Sequence, residues 1–155
     1  GVQTCALPIF LDVGASAIGI DLNPGPDNPW VVEGDFHDLR FADGAIDVVY
    51  VNSLDHAYDL DRVLGEVARV LVPGGVLWAE IGMGSEEGNP PGFYEALSWP
   101  SIDALVARIE GAGFADEGRA AFDVPWRGMR VVLRKGLKPC DASGIQRGGV
   151  LSPPG

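Results

Sequence analysis

Short apolar runs alternate along this chain with segments whose apolar positions recur every three or four residues. The runs have the length of buried strands and cover residues 17–22, 30–35, 45–51 and 76–81. Runs that are apolar throughout are typical of strands buried on both faces of a parallel sheet. The pattern therefore predicts strands that alternate with helices.

Two segments have the pattern of helices. The first begins after Asp59, a residue suited to cap a helix, and ends at the Pro-Gly-Gly of residues 73–75. The second begins at Ser101 and ends at Gly111 or Gly113. Each places its apolar residues on one face: Leu60, Val63, Leu64, Val67 and Leu71 in the first, and Ile102, Leu105, Val106 and Ile109 in the second.

Two further strand candidates, residues 114–123 and 128–134, flank the sequence Val-Pro-Trp-Arg. This spacing predicts an antiparallel hairpin at the C-terminal side of the sheet. Together, the elements indicate an α/β fold, Rossmann-like and doubly wound, with a mainly parallel sheet and a C-terminal antiparallel hairpin. In such folds ligands bind outside the carboxyl ends of the strands.

The two ends of the chain differ from its middle. Residues 1–9, Gly-Val-Gln-Thr-Cys-Ala-Leu-Pro-Ile, resemble the translation of a sequencing-library adapter, and we interpret them as a leader that is not native. The alternative is an ordinary apolar N-terminal strand. Residues 136–155 are rich in Gly, Pro and Ser without helical or strand periodicity, which predicts a disordered tail. We therefore expect one folded domain over residues 10–135.

The charge of the chain disfavours several kinds of partner. Eleven Lys and Arg against 22 Asp and Glu give a net charge of -11, which repels nucleic acid and anionic membrane surfaces. No apolar run approaches the roughly 20 residues of a spanning helix. Cys5 and Cys140 lie far apart without metal-ligand spacing, so we expect no metal site. These features predict a soluble, cytoplasmic protein.

Acids follow two neighbouring predicted strands. Asp21 can accept hydrogen bonds from both ribose hydroxyls, and Asp35 can accept one from the exocyclic amine of adenine. Both residues could instead be ordinary turn residues. His37, beside the second acid, is expected to face solvent or to cap the loop. Acids at adjacent strand ends predict a site for a nucleoside.

Four motifs occur in an order that resembles a known family. They are Ile-Gly-Ile-Asp at 18–21, Gly-Asp-Phe at 34–36, Phe-Ala-Asp-Gly-Ala-Ile-Asp-Val-Val at 41–49 and Arg-Val-Leu-Val-Pro-Gly-Gly at 69–75. Over residues 17–135 the chain resembles the class I S-adenosylmethionine-dependent methyltransferases, in particular the small-molecule, type 11-like members. The resemblance implies S-adenosyl-L-methionine as cofactor and a small metabolite as methyl acceptor.

The resemblance also implies the roles of individual residues. Asp21 would bind the ribose, Leu22 would pack on the adenine, and Asn52 would border the methionine part and the substrate. The adenine-edge motif corresponds to Gly34, Asp35 and Phe36. His56 follows the next strand and is a candidate general base, since its unperturbed pKa lies near 6.5. The alternative is a histidine that only hydrogen-bonds the backbone at a helix entry.

The chain departs from the family at its start. The family opens with a strand and a Gly-x-Gly loop, whereas here Gly14 stands only seven residues before Asp21, too few for a helix and a return to the sheet. We therefore expect the first strand and the glycine loop to be missing, residues 10–16 to be the end of the following helix, and cofactor binding to be impaired. The methyltransferase-like domain over 10–135 would be incomplete.

The leading hypothesis is S-adenosylmethionine-dependent methyl transfer to a small-metabolite acceptor. One alternative is a fragment of an NAD(P)-dependent oxidoreductase, whose fold also places an acid on a ribose. Another is a non-catalytic, methyltransferase-like interaction module. Phe93, Tyr94 and Trp99, in the loop over 82–100, either shape an acceptor pocket or pack that loop onto the sheet.

Overall fold

Strands and helices alternate through residues 10–136, the part of the chain that the computed structural model describes. The strands are β1 (Gly19–Asp21), β2 (Val31–Glu33), β3 (Ile46–Val51), β4 (Leu71–Gly82), β5 (Phe114–Phe122) and β6 (Gly128–Lys135). The complete helices are α1 (Leu60–Val70) and α2 (Ile102–Gly111), with short 3-10 helices at Leu54–His56 and Ser85–Glu87. The predicted leader, 1–9, and residues 137–155 of the predicted tail lie outside the described residues.

The described strands form a mixed arrangement rather than a mainly parallel one. β1 pairs with β2 in parallel, and a second sheet has the order β3-β4-β6-β5. Within it β3 and β4 are parallel, whereas β6 is antiparallel to both β4 and β5. The predicted hairpin is confirmed, but the prediction of a mainly parallel sheet is wrong, because β6 lies between β4 and β5 and pairs antiparallel on both edges.

A helical segment ends just before β1. Residues 10–12 are helical, the amide of Ala15 donates to the carbonyl of Phe10 at 3.0 Å, and the amide of Gly14 donates to that of Leu11 at 2.9 Å. Gly14 has a φ of 83°. This is the Schellman motif, in which a left-handed glycine ends a helix. The prediction that residues 10–16 form the end of a helix is therefore confirmed.

The core lies between the sheet and the two helices. Alternate residues of β4 are buried on the helical side, and the apolar faces of both helices pack against them, with Ser101 and Asp59 as N-caps. These faces are as predicted except for Leu71, which begins β4 and is not part of the helix. The fully buried large side chains are Leu60, Leu64, Leu71, Leu77, Ile81, Ile109, Leu133, Val63, Val70, Val106 and Val131. No helix in residues 10–136 is long and apolar enough to cross a membrane.

One flank of α1, next to its apolar face, carries a row of polar residues that binds the loop over residues 37–43. The α1 polar stripe consists of Asp59, Arg62, Glu66 and Arg69, whose spacing of three or four residues places them along one side of the helix. Arg62 Nε donates to the carbonyl of residue 37 at 2.8 Å. The stripe therefore connects α1 to the segment that joins β2 to β3.

Arg69 and Glu66 make most of these contacts. Arg69 donates to the carbonyls of Leu39 at 2.7 Å and Phe41 at 2.8 Å, and to the carboxylate of Asp43 at 2.8 Å. Glu66 accepts from Arg69 and, at 2.8 Å, from the amide of Leu39. Side chains of α1 therefore hydrogen-bond the carbonyls of Leu39 and Phe41 and the amide of Leu39. These hydrogen bonds give the loop a defined conformation although it is not part of a strand.

We predict that Glu66→Gln destabilises the fold at neutral pH by about 1–3 kcal/mol, the range for a hydrogen bond to a charged group. The hydrogen bond from Arg69, opposed by burial and supported by the Leu39 amide, holds the pKa of Glu66 below its ordinary 4.5. Stability from this carboxylate is therefore present above about pH 4.5 and is lost as the pH falls through the lower folded-state pKa.

Urea denaturation of wild type and variant from neutral to acid pH checks this, and the difference between them should shrink in acid. Glu86→Gln, at an exposed position, is the matched control and should change little at any pH. A difference that stays constant into acid would contradict the role of the Glu66 charge.

Candidate functional site

Asp21 and Asp35 lie at one edge of the β1–β2 pair. Asp21 ends β1, and its Oδ1 accepts a hydrogen bond from the amide of Asn23 at 2.8 Å. The amide of Gly34 donates to the carbonyl of Asp21 at 3.0 Å, and a Cβ at Gly34 would lie 2.8 Å from Cγ2 of Ile20. Glycine at this position therefore lets the chain after β2 lie directly against β1 and brings the two acids to the same edge.

Asp35 is an ionised hydrogen-bond acceptor. Its Oδ1 accepts from the backbone amide of His37 at 2.8 Å and faces Nδ1 of the same residue at 2.7 Å. Burial raises the pKa of Asp35, but the hydrogen bonds from His37 and the charge of Arg62 outweigh it, so this pKa lies below its usual range. The side chain keeps 35% of its surface exposed, so it can still accept from a ligand.

His37 is buried, so of the two predicted placements, facing solvent or capping the loop, the first is wrong. Only 2% of it is exposed, and its ring stacks on that of Tyr58 with a centroid distance of 3.7 Å. Nε2 accepts from the amide of Asp59 at 3.4 Å. A histidine with both ring nitrogens hydrogen-bonded can be buried at a low cost in free energy. The hydrogen bond between His37 and Asp59 joins residues 22 apart, so no local sequence pattern indicates it.

A cavity of about 610 Å³ opens beyond the carboxyl ends of β3 and β4. Three segments line it: the end of β3 with the 3-10 helix after it, the loop after β4, and the turn between β5 and β6. The first supplies the predicted Asn52 and His56. The loop after β4 and the turn between β5 and β6 supply Glu95, Trp99 and Trp126. Of these three, only Trp99 is a candidate from the sequence.

The loop after β4 is tied to the 3-10 helix that precedes α1. The amides of residues 96 and 97 donate to the carbonyl of Asp55 at 2.8 and 2.9 Å, and Trp99 Nε1 donates to the carbonyl of Gly82 at 3.0 Å. Among the aromatic residues of this loop, Trp99 lines the cavity, whereas Phe93 and Tyr94 are 93% and 83% exposed. Trp99 therefore both lines the cavity and packs against the core, and the other two do neither.

Asp55 and His56 form the titratable pair of the cavity. Nε2 of His56 lies 3.7 Å from Oδ2 of Asp55, and 47% of the histidine side chain is exposed. Burial raises the pKa of Asp55, the charge of Glu95 raises it further, and the charge of His56 opposes both, so this pKa lies above its usual value. The pair therefore combines an accessible imidazole with a carboxylate that can stabilise its protonated form.

The predicted site residues fall into two groups. Asp21, Leu22, Gly34, Asp35 and Phe36 lie along the β1–β2 edge and none of them lines the cavity, which holds Asn52 and His56. His37 lies between the groups in the fold, since its Nε2 accepts from the amide of Asp59, three residues after the cavity-lining His56. No group of three or more His, Cys, Asp or Glu residues within 10–136 is arranged to hold a metal ion.

Comparisons with known proteins identify relatives of this chain. A family model described as a methyltransferase domain matches residues 1–79. The sterol 24-C-methyltransferase erg6 of Aspergillus fumigatus is 48% identical over 46 residues, which are 29% of this chain and 12% of that protein. The aligned segment thus represents a small part of that relative.

Solved structures share the fold. A SAM-dependent methyltransferase from Methanosarcina mazei aligns with a TM-score of 0.65 and 18% identity, covering 84% of this chain and 87% of its own. The 1,6-didemethyltoxoflavin-N1-methyltransferase of Burkholderia thailandensis, with bound 1,6-didemethyltoxoflavin and S-adenosylhomocysteine, aligns with a TM-score of 0.70 and 16% identity, covering 83% of this chain and 65% of its own.

We predict opposite shifts of the Asp55 pKa in two variants of the cavity. Glu95→Gln removes a negative neighbour and should lower that pKa, whereas His56→Gln removes a positive one and should raise it. Carboxyl carbon NMR titration of the Asp55 side chain measures both. Glu110→Gln, exposed on α2, is the control and should leave the midpoint unchanged. Shifts in the same direction would contradict the described geometry.

Proposed function

Because the chain belongs to the S-adenosylmethionine-dependent methyltransferase family, we propose that it transfers a methyl group from S-adenosyl-L-methionine to a small molecule held in the 610 Å³ cavity. The observation that carries the proposal is the arrangement of acids and cavity. Two acids share the β1–β2 edge, and the cavity opens beyond the ends of β3 and β4. The Burkholderia thailandensis relative, which binds 1,6-didemethyltoxoflavin, supports a small-molecule acceptor.

The residues at the β1–β2 edge suit an adenosine group. Asp21 would accept from the ribose hydroxyls and Asp35 from the exocyclic amine of adenine, a role that suits a carboxylate whose pKa is lowered. Leu22 is 70% exposed, so its side chain is free to cover a face of the adenine. Phe36 supports this edge by packing against the core, and Asn52 would border the methionine part.

His56 would serve the acceptor. The cofactor supplies an electrophilic methyl group on a sulfonium centre, and the acceptor atom becomes more nucleophilic when its proton is removed. The accessible imidazole would take this proton, and the carboxylate of Asp55, 3.7 Å from Nε2, would stabilise the imidazolium. Trp99 and Trp126 would hold the acceptor and exclude water from it.

The residues before Asp21 contain no Gly-x-Gly loop. In the family this loop brings backbone amides close to the methionine part, and the sequence before Asp21 has no glycine motif for such contacts. We therefore propose that this chain binds the cofactor more weakly than family members that carry the loop. Binding is best measured by NMR titration, which remains quantitative for dissociation constants near 1 mM, or about -4 kcal/mol.

We predict that S-adenosylhomocysteine shifts the amide signals of residues 19–36, and that Asp21→Asn and Asp35→Asn each weaken its binding about tenfold, or 1.4 kcal/mol. Glu33→Gln is the matched control, because Glu33 is an exposed acid at the end of β2 and should not contact the ligand. Unchanged affinity in both variants, or shifts confined to other parts of the chain, would contradict the proposed cofactor site.

A separate prediction concerns His56. His56→Gln should lower the rate of methyl transfer about 100-fold, the lower range for a general base, and leave S-adenosylhomocysteine affinity unchanged. Transfer of tritiated methyl from the cofactor to a panel of phenol, indole and amine acceptors measures the rate. Equal rates in wild type and variant would refute the role of His56. Cofactor binding without transfer to any acceptor would favour a non-catalytic module.

A further inference from the structure

We infer that His37 is a positioning residue that fixes the carboxylate of Asp35 for the adenine of the cofactor. This inference rests on the proposed function, because it requires that Asp35 bind the adenine. It adds a residue that would touch neither cofactor nor acceptor and would act through Asp35 alone. Its basis is the set of contacts that both ring nitrogens of His37 make.

The contacts of the imidazole define its tautomer. The amide of Asp59 can only donate, so Nε2, 3.4 Å away, is the unprotonated nitrogen. In the neutral ring the proton is then on Nδ1, which donates to Oδ1 of Asp35 at 2.7 Å. A backbone amide at the start of α1 thus determines which nitrogen faces the acid.

The imidazole ring is also held in place. Its stack on Tyr58 is nearly parallel, with 22° between the planes, and the edge of Phe36 lies against it with a centroid distance of 4.6 Å. The carbonyl of His37 accepts from Arg62 Nε at 2.8 Å. With 2% of the residue exposed, neither the ring nor its backbone can turn without breaking these contacts.

The consequence is that one oxygen of Asp35 remains for a ligand. Oδ1 receives two hydrogen bonds, from the amide and from Nδ1 of His37. Oδ2 has no hydrogen-bond partner among residues 10–136, and the side chain keeps 35% of its surface exposed. Since His37 fixes the side-chain rotamer of Asp35, Oδ2 holds one position before a ligand binds. Ligand binding therefore loses little conformational entropy of this side chain.

Two variants of His37 separate positioning from general stability. In His37→Asn the side-chain amide nitrogen occupies the position of Nδ1 and can still donate to Asp35. In His37→Gln the amide nitrogen occupies the position of Nε2, so the donor to Asp35 is lost. Both lose the ring and its stack on Tyr58. We expect Gln to weaken S-adenosylhomocysteine binding about tenfold and Asn less than threefold, with similar losses of stability.

Activity and NMR provide further readouts. His37→Gln should raise the KM for S-adenosylmethionine and leave kcat unchanged, because the acceptor cavity is intact. In the Asp35→Asn background His37→Gln should have no further effect on binding, since its influence passes through the carboxylate. Imidazole nitrogen spectra of the wild type should show a protonated Nδ1 and an unprotonated Nε2.

Several results would overturn the inference. Equal losses of affinity in the Asn and Gln variants would show that the ring supports only the fold. Additive losses in the Asp35→Asn background would show that His37 acts independently of the acid. If S-adenosylhomocysteine binding depends on Asp35 but is unchanged in His37→Gln, the inference alone fails. If the wild type does not bind S-adenosylhomocysteine, the proposed function fails as well.

Discussion

The hydrogen bonds between the α1 polar stripe and the loop over 37–43 determine how the candidate site is assembled. Among residues 10–136, β1 and β2 pair only with each other, so no strand ladder links them to the sheet of β3 to β6. Arg69, Glu66 and Arg62 instead bind the loop that follows the β1–β2 edge. Charge-assisted hydrogen bonds to backbone groups are strong and directional, so they set the position of the acids relative to the cavity.

The same connection explains how two chemically different regions serve one reaction. The β1–β2 edge offers the side chains of Asp21 and Asp35 and an exposed leucine, whereas the cavity offers aromatic rings and a carboxylate beside an imidazole. His37 contacts Asp35 at the β1–β2 edge and accepts from the amide of Asp59 at the start of α1, outside the cavity. Methyl transfer requires the donor and acceptor to be aligned closely, so the fixed position that the α1 polar stripe gives the loop after the β1–β2 edge suits that chemistry.

The sequence predicts the helices and strands of the middle well, because their apolar patterns and caps are local signals. Asp59 caps its helix as expected, the second helix starts directly after Ser101, and residues 10–16 end a helix as expected. The burial of His37 and the contribution of Trp126 to the cavity depend on residues distant in sequence, and no local pattern encodes them. The mixed pairing of β6 depends likewise on which strand it joins, which periodicity does not specify.

Intermolecular nuclear Overhauser effects between S-adenosylhomocysteine and the isotope-labelled chain test most directly whether the acids and the cavity form one site. We expect contacts from the adenine protons to the methyl groups of Leu22 and the amide of Phe36, and from the homocysteine part to Asn52. Such contacts would place the cofactor across both regions. Adenine contacts to Trp99 and Trp126 in the cavity, with none at the β1–β2 edge, would contradict the proposed site.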